Sequence, residues 1–248
     1  MAYLSNPTET KAVLDMFGFS FAKKYGQNFL IDGNIVSNIV KNAGITKEDT
    51  VLEIGPGIGT MTQVLCEQAK NVIAVEIDKR LIDVLTFTLR DYDNVTVINS
   101  DILKCNIEEL CKQYSSNGRL KVVANLPYYI TTPIIEKIIE EKLNENSCTL
   151  MVQKEVADRF SAKCGSKEYG SITVYLDYYY SINKLFEVPR KAFYPVPNVD
   201  SAILKLTRKE DKVFLDEDKF FKFVKSAFQF KRKNLRNNLK SYDLEKIK

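Results

Sequence analysis

From about residue 50 onward, short apolar runs alternate with longer segments in which apolar residues recur at helical spacing. Five runs have the length and composition of buried strands: residues 50–54, 71–75, 95–98, 120–124 and 148–152. Helical periodicity lies between them, for example over residues 78–90 and 133–143. Because strands that alternate with helices form βαβ units, the pattern predicts an α/β fold, with a mostly parallel sheet and helices on both faces.

Two later runs, residues 170–180 and 201–207, are rich in β-branched and aromatic side chains and have no long helix between them. We expect them to form an antiparallel pair that closes one edge of the sheet. Ahead of the first strand, residues 34–43 have the pattern of a helix that ends at Gly44. The three tyrosines at 178–180 are expected to pack within a strand rather than to form a platform for base stacking.

The C-terminal part of the chain differs from the rest in periodicity and in charge. After Arg208 the pattern is helical, so we divide the chain into a domain of residues 1–209 and a small basic helical domain of residues 210–248. Residues 219–242 contain eight Lys and Arg side chains and no acid, and because the whole chain carries +4, the remainder carries −4. A basic segment on a mildly acidic body predicts a polyanionic partner, with nucleic acid as the first candidate and a solvated helix face as the alternative.

Composition excludes several classes of chemistry. The 248 residues are 45% hydrophobic and 27% charged, as in soluble globular proteins, and no apolar run approaches the ~20 residues that span a bilayer. The N-terminus lacks the pattern of a signal peptide. The five cysteines are scattered without a CxxC pair, which favours reduced thiols in the cytoplasm over a zinc site or disulfides. The lack of histidine excludes a Ser-His or Cys-His nucleophile and a histidine metal cluster, so no metal is expected.

The first of these strands, which contains an acid at Glu53, runs into a glycine-rich turn with Gly55 and Gly57. Glycines in such a turn let the backbone approach a ligand closely. The spacing is GxGxG, whereas a dinucleotide fingerprint has the spacing GxGxxG. This variant resembles motif I of the class I methyltransferases that use S-adenosylmethionine. Another Rossmann-type nucleotide site is the alternative interpretation.

Two acids follow the next two strands. Glu76 ends the second strand about twenty residues after the glycine turn, where a carboxylate can accept hydrogen bonds from both ribose hydroxyls. Asp101 follows the third strand, and either acid alone could instead cap a helix. In methyltransferases of this type, an acid placed like Asp101 meets the adenine amino group of the cofactor, and the next apolar side chain packs on the adenine ring. The resemblance therefore adds Ile77 and Ile102 to the expected cofactor contacts.

The fourth strand leads into Asn125, Leu126, Pro127 and Tyr128. These residues supply a side-chain amide oxygen, a backbone carbonyl (of Leu126 or Pro127) held rigid by the proline, and an aromatic face. The two oxygens can accept both N–H bonds of a planar amino group, and the ring can stack on the heterocycle that carries it. The tetrapeptide therefore predicts a catalytic grip on an amino group, with Asn125 also near the cofactor; a plain strand-to-helix turn is the alternative.

Together these residues resemble the KsgA family, the adenine N6,N6-dimethyltransferases of small-subunit (16S) ribosomal RNA, over roughly residues 20–240. Residues 24–30 (KYGQNFL) resemble the family's cofactor lid, with Asn28 and Leu30 as expected cofactor contacts. Residues 153–159 (QKEVADR) resemble the helix after its fifth strand, and AFYPVPNVDSA, which starts at Ala192, matches a second hallmark. The resemblance implies a Rossmann-like class I methyltransferase sheet with a small C-terminal helical domain.

The resemblance also implies an activity. It is the dimethylation of N6 on two adjacent adenines near the 3′ end of small-subunit ribosomal RNA with S-adenosylmethionine, as a step in subunit biogenesis. We expect a monomer that acts on a pre-assembled 30S-like particle, and methyl transfer in one in-line displacement without a metal. The expected RNA contacts are an aromatic side chain that faces the base and a set of basic side chains: Phe193, Arg159, Lys231, Arg232, Lys233 and Arg236.

Two alternatives stay open. Erm-type large-subunit methyltransferases share the chemistry and the lid, but the YITTPI sequence after Tyr128 and the VDSA form of the second hallmark favour the KsgA family. An RNA-binding or ribosome-binding assembly factor with secondary catalysis is the other alternative, and the intact tetrapeptide and glycine turn favour an enzyme. The resemblance further implies helical sequence beyond residue 248, so a truncated C-terminus is an open question.

Overall fold

The computed structural model describes residue 4 and residues 6–21, 26–115, 120–140, 145–209, 216–230 and 232–242, except for the side chains of residues 145 and 146. Its strands are β1 (Phe29–Leu30), β2 (Thr50–Ile54), β3 (Asn71–Glu76), β4 (Val95–Asn99), β5 (Leu120–Asn125), β6 (Glu145–Gln153), β7 (Tyr180–Val188), β8 (Phe193–Tyr194) and β9 (Ser201–Arg208). Its helices are α1 (Pro7–Met16), α2 (Gly33–Ala43), α3 (Thr60–Gln68), α4 (Arg80–Thr88), α5 (Ile107–Tyr114), α6 (Thr131–Glu140), α7 (Lys154–Phe160), α8 (Ser171–Tyr179), α9 (Glu217–Ala227) and α10 (Leu235–Asn238). None of the helices in these ranges is long and apolar enough to cross a membrane.

Seven of these strands form one sheet in the order β4-β3-β2-β5-β6-β9-β7. The first five run parallel, and β9 pairs antiparallel with both β6 and β7. The predicted α/β fold with an antiparallel edge is therefore confirmed. Strands β2 and β5 are neighbours. From β2 the chain adds β3 and β4 on one side, and from β5 it adds β6 on the other side. The carboxyl ends of β2 and β5 flank the crevice where open α/β sheets bind ligands.

Both faces of the sheet are buried, since successive side chains on each strand enter different cores. Leu52 and Val122 belong to the core under α5, α6, α7 and α8. Val51 and Val123 belong to the core under α2 and α3. Strands that are buried on both faces have no solvent-exposed face, which explains why their sequences are nearly uninterrupted apolar runs. The predicted helix before β2 is confirmed as α2, and Gly44 ends it in the left-handed conformation.

The segment of residues 170–180 is not a strand, and this sequence prediction was wrong. Residues Ser171–Tyr179 form α8, and the edge strand β7 is the following segment, Tyr180–Val188. Leu176 and Tyr179 lie one turn apart on the face of α8 that is buried against the core. Burial of that face outweighs the preference of the many β-branched and aromatic side chains for a strand.

Two of the three tyrosines at this point therefore lie on a helix, although their packing role is confirmed. The rings of Tyr178 and Tyr179 lie 5.2 and 5.8 Å from the ring of Phe221 on α9. Tyr179 also donates its hydroxyl hydrogen to the Glu217 carboxylate at 3.0 Å. Helix α9 is thus docked on α8 through aromatic contacts. The division of the chain between residues 209 and 210 stays a prediction.

The substitution Phe221→Ala should loosen this docking. Phe221 is half-buried and packs on the rings of Tyr175, Tyr178 and Tyr179. Such a phenylalanine contributes about 2 kcal/mol to the free energy of unfolding, so we expect the melting temperature to fall by about 5 °C. Limited proteolysis should then cut the chain after Arg208 faster than in the unsubstituted protein. Phe223→Ala is the matched control, because that ring contacts Tyr242 and not α8. Melting and proteolysis that match the control would show that Phe221 does not hold α9.

Candidate active site

A cleft opens at the carboxyl edge of the sheet, where β2, β3 and β5 end. It encloses about 890 Å³ of space, including its open mouth. Five segments form its wall: the residues around β1, the glycine turn after β2, the end of β3, the turn after β5, and β8. The residues of the wall are Gly26, Gln27, Asn28, Phe29, Leu30, Glu53, Gly55, Pro56, Gly57, Thr60, Met61, Glu76, Ile77, Leu81, Asn125, Leu126, Pro127, Tyr128, Tyr129 and Phe193.

The glycine turn presents bare main chain to the cleft. Gly57 has a φ of +60°, a conformation that side chains rarely adopt, and a Cβ atom there would lie 3.0 Å from the ring of Phe29. The Gly57 N–H donates to Oε2 of Glu76 at 3.1 Å. A side chain at this position would therefore fill the space beside Phe29 and strain the turn that reaches Glu76.

Glu76 is a buried acid on the cleft wall. Its carboxylate accepts hydrogen bonds from the backbone N–H groups of Gly57 at 3.1 Å and Asp78 at 2.8 Å. Burial raises the pKa of the Glu76 carboxyl to about 7, even though the two N–H groups favour its charged form. The next residue, Ile77, is exposed and also lines the cleft. Both residues line the cleft, and their contact with the cofactor stays a prediction.

Two further polar groups of the wall have no hydrogen-bond partner among the described atoms. Oε2 of Glu53 and Oγ1 of Thr60 are buried and unpartnered. Burial raises the pKa of the Glu53 carboxyl to about 8; the Thr62 hydroxyl beside it opposes this shift, and the nearby Glu76 carboxylate adds to it. Buried polar atoms normally have a partner, so the Thr60 hydroxyl indicates a polar ligand in the cleft, whereas Glu53 has Thr62 beside it. Sequence analysis noted Glu53 only as part of the glycine motif, and it missed Thr60, although the residue directly follows that motif.

Asp101 and Ile102 are not part of the cleft wall. Asp101 accepts the N–H of Leu103 at 3.0 Å and so caps a short 3-10 turn, which is the alternative that the sequence left open. Ile102 is buried in the core under α5 and α6. Both follow β4 at the same edge of the sheet as Glu76. Their contact with the cofactor stays a prediction.

Asn125 is the last residue of β5, so the parallel ladder fixes its backbone at the floor of the cleft. It pairs with Met151 of β6. Its side-chain Nδ2 donates to the carbonyl oxygen of Asn28 at 3.3 Å. Because the amide nitrogen is held by Asn28, the amide oxygen is turned away from that contact and can accept a hydrogen bond.

The carbonyls of Leu126 and Pro127, which sequence analysis could not tell apart, differ in the structure. The Pro127 carbonyl already accepts the N–H of Ile130 at 3.1 Å and the hydroxyl of Thr131 at 3.2 Å. These bonds build the turn that leads into α6. Leu126 donates its own N–H to Met151 at 3.1 Å, and its carbonyl takes no part in that turn. The Leu126 carbonyl is therefore the better acceptor for a group in the cleft.

The N-terminal lid residues and the second hallmark form one small sheet over the cleft. Strand β1 pairs antiparallel with β8, with Leu30 opposite Phe193. Asn28, Leu30 and Phe193 all border the cleft, although Phe193 is only 1% exposed and packs in the core under α2 and α3. Their contacts with the cofactor and the base stay predictions. Gln27 adds a bond from Nε2 to the Asp78 carboxylate at 2.7 Å. Residues 24 and 25 of the lid motif lie outside the described residues.

The basic side chains predicted to contact RNA are not part of the cleft wall. Arg159 is exposed on α7, with its guanidinium 5.5 Å from the Phe160 ring. Arg232, Lys233 and Arg236 are exposed near α10, while Lys231 lies outside the described residues. In the part of the chain that the structure describes, no three acidic or thiol side chains are grouped so as to hold a metal ion.

Comparison with known proteins gives a family match over most of the chain. The model of the family described as ribosomal RNA adenine dimethylase matches residues 18–247. The ribosomal RNA small subunit methyltransferase A of Lachnoclostridium phytofermentans is 50% identical over 242 residues, which cover 96% of this chain and 83% of that protein. The protein of the same name from Streptococcus thermophilus is 51% identical over 236 residues, which cover 94% and 81% of the two chains.

Two solved structures have the same architecture. A dimethyladenosine transferase from Plasmodium falciparum superposes with a TM-score of 0.72 at 32% identity, over 84% of this chain and 73% of that one. The 23S rRNA methyltransferase ErmE superposes with a TM-score of 0.73 at 28% identity, over 86% and 84%. The two folds are equally similar, so the sequence identities carry the distinction between small-subunit and large-subunit relatives.

Proposed function

The chain belongs to the ribosomal RNA adenine dimethylase family, and from that premise we propose how its cleft dimethylates adenine in small-subunit ribosomal RNA with S-adenosylmethionine. The observation that carries this proposal is the position of the Asn125 amide, which lies in one cleft with Glu76 and the glycine turn. The Asn125 amide oxygen and the Leu126 carbonyl, which we call the clamp, can accept the hydrogens of an amino group. A clamp beside an acid that can bind a ribose is suited to N6 of adenine. Relatives about 50% identical are small-subunit enzymes by name, which favours that subunit over the large one.

The residues of the cleft fit the cofactor. The Glu76 carboxylate would accept hydrogen bonds from the ribose hydroxyls, next to the N–H groups that already hold it. Thr60 would supply a partner for the polar end of the cofactor, since its buried hydroxyl has none among the described atoms. Ile77 and Leu81 supply apolar wall. When bound, S-adenosylmethionine supplies an electrophilic methyl group on a positively charged sulfur.

Asn125 and Leu126 activate the acceptor by position. The lone pair of adenine N6 is delocalised into the ring, so N6 is a weak nucleophile. Hydrogen bonds from the two N6 hydrogens to the Asn125 amide oxygen and the Leu126 carbonyl favour a more tetrahedral nitrogen, whose lone pair then points out of the ring. Tyr128 stacks on the base and fixes the direction of attack, while Phe193, which is buried, supports the wall of the cleft from the core.

No side chain of the cleft has to act as a general base. After transfer, N6 is cationic and acidic enough to lose its proton to water, so the lack of histidine does not hinder the reaction. The second methylation uses N6-methyladenine, which has one N6 hydrogen left to donate. It therefore requires the base to return in a rotated pose, with one acceptor of the clamp unused.

The exposed basic side chains near α10 are proposed to bind RNA phosphates. Arg232, Lys233 and Arg236 belong to a segment without acids, and Phe230 lies 4.2 Å from the Lys233 ammonium. The target nucleotide must leave its stack to enter the cleft, because N6 is not accessible to the clamp within paired RNA. We further propose that the protein acts as a monomer in the cytoplasm, on a pre-assembled small-subunit particle.

The substitution Asn125→Ala removes the amide oxygen of the clamp. We expect the rate constant of methyl transfer to undermethylated small subunits to fall about a thousandfold, because a group that orients the transition state is lost. Calorimetry should show nearly unchanged affinity for S-adenosylmethionine. Asn38→Ala, an exposed position on α2, is the control and should retain full activity. Turnover of Asn125→Ala close to that of the control would remove Asn125 from the mechanism.

The affinity for S-adenosylmethionine should fall as the pH decreases through 7. Burial raises the pKa of the Glu76 carboxyl to about 7, and only its charged form accepts hydrogen bonds from both ribose hydroxyls. Binding below pH 7 must therefore release a proton, and the dissociation constant should be about tenfold higher at pH 6 than at pH 8.

Calorimetry at several pH values measures this dependence, with Glu76→Gln as the key variant. The α-amino group of the ligand also titrates near pH 8, but it does so equally with both proteins. The difference between the unsubstituted protein and Glu76→Gln therefore isolates Glu76, and Glu48→Gln, an exposed acid, should leave the slope unchanged. Equal slopes for the unsubstituted protein and Glu76→Gln would assign the titration to another group.

Mapping of the methylated bases tests the substrate. With labelled S-adenosylmethionine and undermethylated subunits of both sizes, we expect N6,N6-dimethyladenine at two adjacent adenines near the 3′ end of the small-subunit RNA. Label on assembled particles that exceeds label on naked RNA would support the particle as the substrate. Label in large-subunit RNA would support an Erm-type enzyme, and binding without label would support an assembly factor.

A further inference from the structure

Tyr128 has one specific tether, and it comes from the second hallmark of the sequence. The hydroxyl of Tyr128 and Oγ of Ser201 are 2.9 Å apart and hydrogen-bonded. Ser201 is fully buried at the start of β9, and it does not line the cleft. It therefore touches neither substrate nor cofactor, and the mechanism above assigns it no role.

Ser201 is itself held firmly. It pairs with Gln153 of β6 on one side and with Val188 of β7 on the other, so its backbone lies between two strands. The preceding residue, Asp200, accepts the backbone N–H of Lys154 at 3.0 Å on its carbonyl. Its carboxylate accepts the N–H of Arg190 at 2.9 Å. The Ser201 hydroxyl is thus a fixed point of the sheet.

Tyr128 has no such support from its own backbone. It lies in the turn between β5 and α6, outside the ladder that holds Asn125. A ring on a turn can rotate about its side-chain torsions unless a second contact fixes its far end. Its hydroxyl is the end farthest from the backbone, so a bond there to a fixed hydroxyl sets the direction of the ring axis. Because a phenol O–H lies in the plane of its ring, the same bond also favours one orientation of that plane.

We propose that Ser201 is a positioning residue, which holds the Tyr128 ring at the angle needed to stack on the target adenine. The inference rests on the proposed function, because it presupposes that Tyr128 stacks on the base. It also explains why one hallmark contains both Phe193 and Ser201. The first lines the cleft directly, and the second acts on the cleft through Tyr128.

The second methylation depends on this tether more than the first. Adenine donates two hydrogen bonds to the clamp formed by Asn125 and Leu126, whereas N6-methyladenine donates one. With one bond fewer, stacking supplies a larger share of the alignment, and a small misplacement of the base lowers the rate steeply. Loss of the tether should therefore shift the products toward N6-methyladenine.

The test is a double-mutant cycle of Ser201→Ala and Tyr128→Phe on undermethylated small subunits. Each variant should lower the rate constant of the second methylation relative to the first by about tenfold, with unchanged affinity for S-adenosylmethionine. The double variant should be no worse than either single variant, because both remove the same bond. At equal extents of conversion, the ratio of monomethylated to dimethylated product is independent of the folded fraction, so a merely structural defect would not change it.

The chain offers a matched control in another serine–tyrosine pair. Oγ of Ser226 lies 3.4 Å from the Tyr242 hydroxyl, away from the cleft wall, so Ser226→Ala should keep the product ratio of the unsubstituted protein. If Ser201→Ala folds poorly, Tyr128→Phe decides alone, since it breaks the bond from the other side. An unchanged ratio in Tyr128→Phe, or effects that multiply in the double variant, would overturn the inference.

A third variant separates this inference from the proposed function. Tyr128→Ala removes the whole ring and should lower the rate constant of the first methylation about a hundredfold. If Tyr128→Ala is inactive while Ser201→Ala and Tyr128→Phe keep the product ratio, only the positioning role fails. If Tyr128→Ala is fully active, the stacking role fails, and the positioning role fails with it.

Discussion

The site depends on two buried carboxylates at the end of β3. Glu76 accepts the N–H of Gly57 and so holds the glycine turn against the strand next to it. Asp78 donates its own N–H to Glu76, and its carboxylate binds Arg80 at 2.6 Å and Gln27 at 2.7 Å. The pair therefore joins three segments that are far apart in the sequence. Because unpaired charges are costly inside a protein, the partners of the two acids fix where these segments can lie.

The two acids are held differently, and the difference is functional. Hydrogen bonds from Arg80 and Gln27 keep the pKa of the Asp78 carboxyl below its usual range, although its burial opposes this. Asp78 is therefore a charged structural anchor at neutral pH. Among the residues that the structure describes, Glu76 has backbone N–H partners only, and burial raises its pKa to about 7. A buried carboxylate whose charge is only partly stabilised in the free protein is stabilised most by a ligand that donates hydrogen bonds to it. Binding such a ligand is the role proposed for Glu76.

The sequence predicted those features that depend on local pattern. The five parallel strands were predictable because strands buried on both faces are uninterrupted apolar runs. Glu76 and Asn125 were predictable because each ends such a strand. Helix α8 was not, because burial of Leu176 and Tyr179 against a core of distant residues outweighs local propensity. The tether from Ser201 to Tyr128 was not predictable either, because it links positions 73 residues apart through the order of β6, β9 and β7.

The floor and the roof of the cleft differ in how they are attached. The floor is the end of a parallel ladder, in which β2 pairs with β3 through five residue pairs. The roof is the β1–β8 sheet, which contains two residue pairs, Phe29 with Tyr194 and Leu30 with Phe193. Side chains make up for the fewer backbone bonds of the roof, since Leu30 and Phe193 are buried in the core under α2 and α3. The carbonyl oxygen of Asn28 also accepts a hydrogen bond from the Asn125 amide. The roof therefore orients the clamp as well as covering it, and an enzyme whose catalysis is positioning depends on that link.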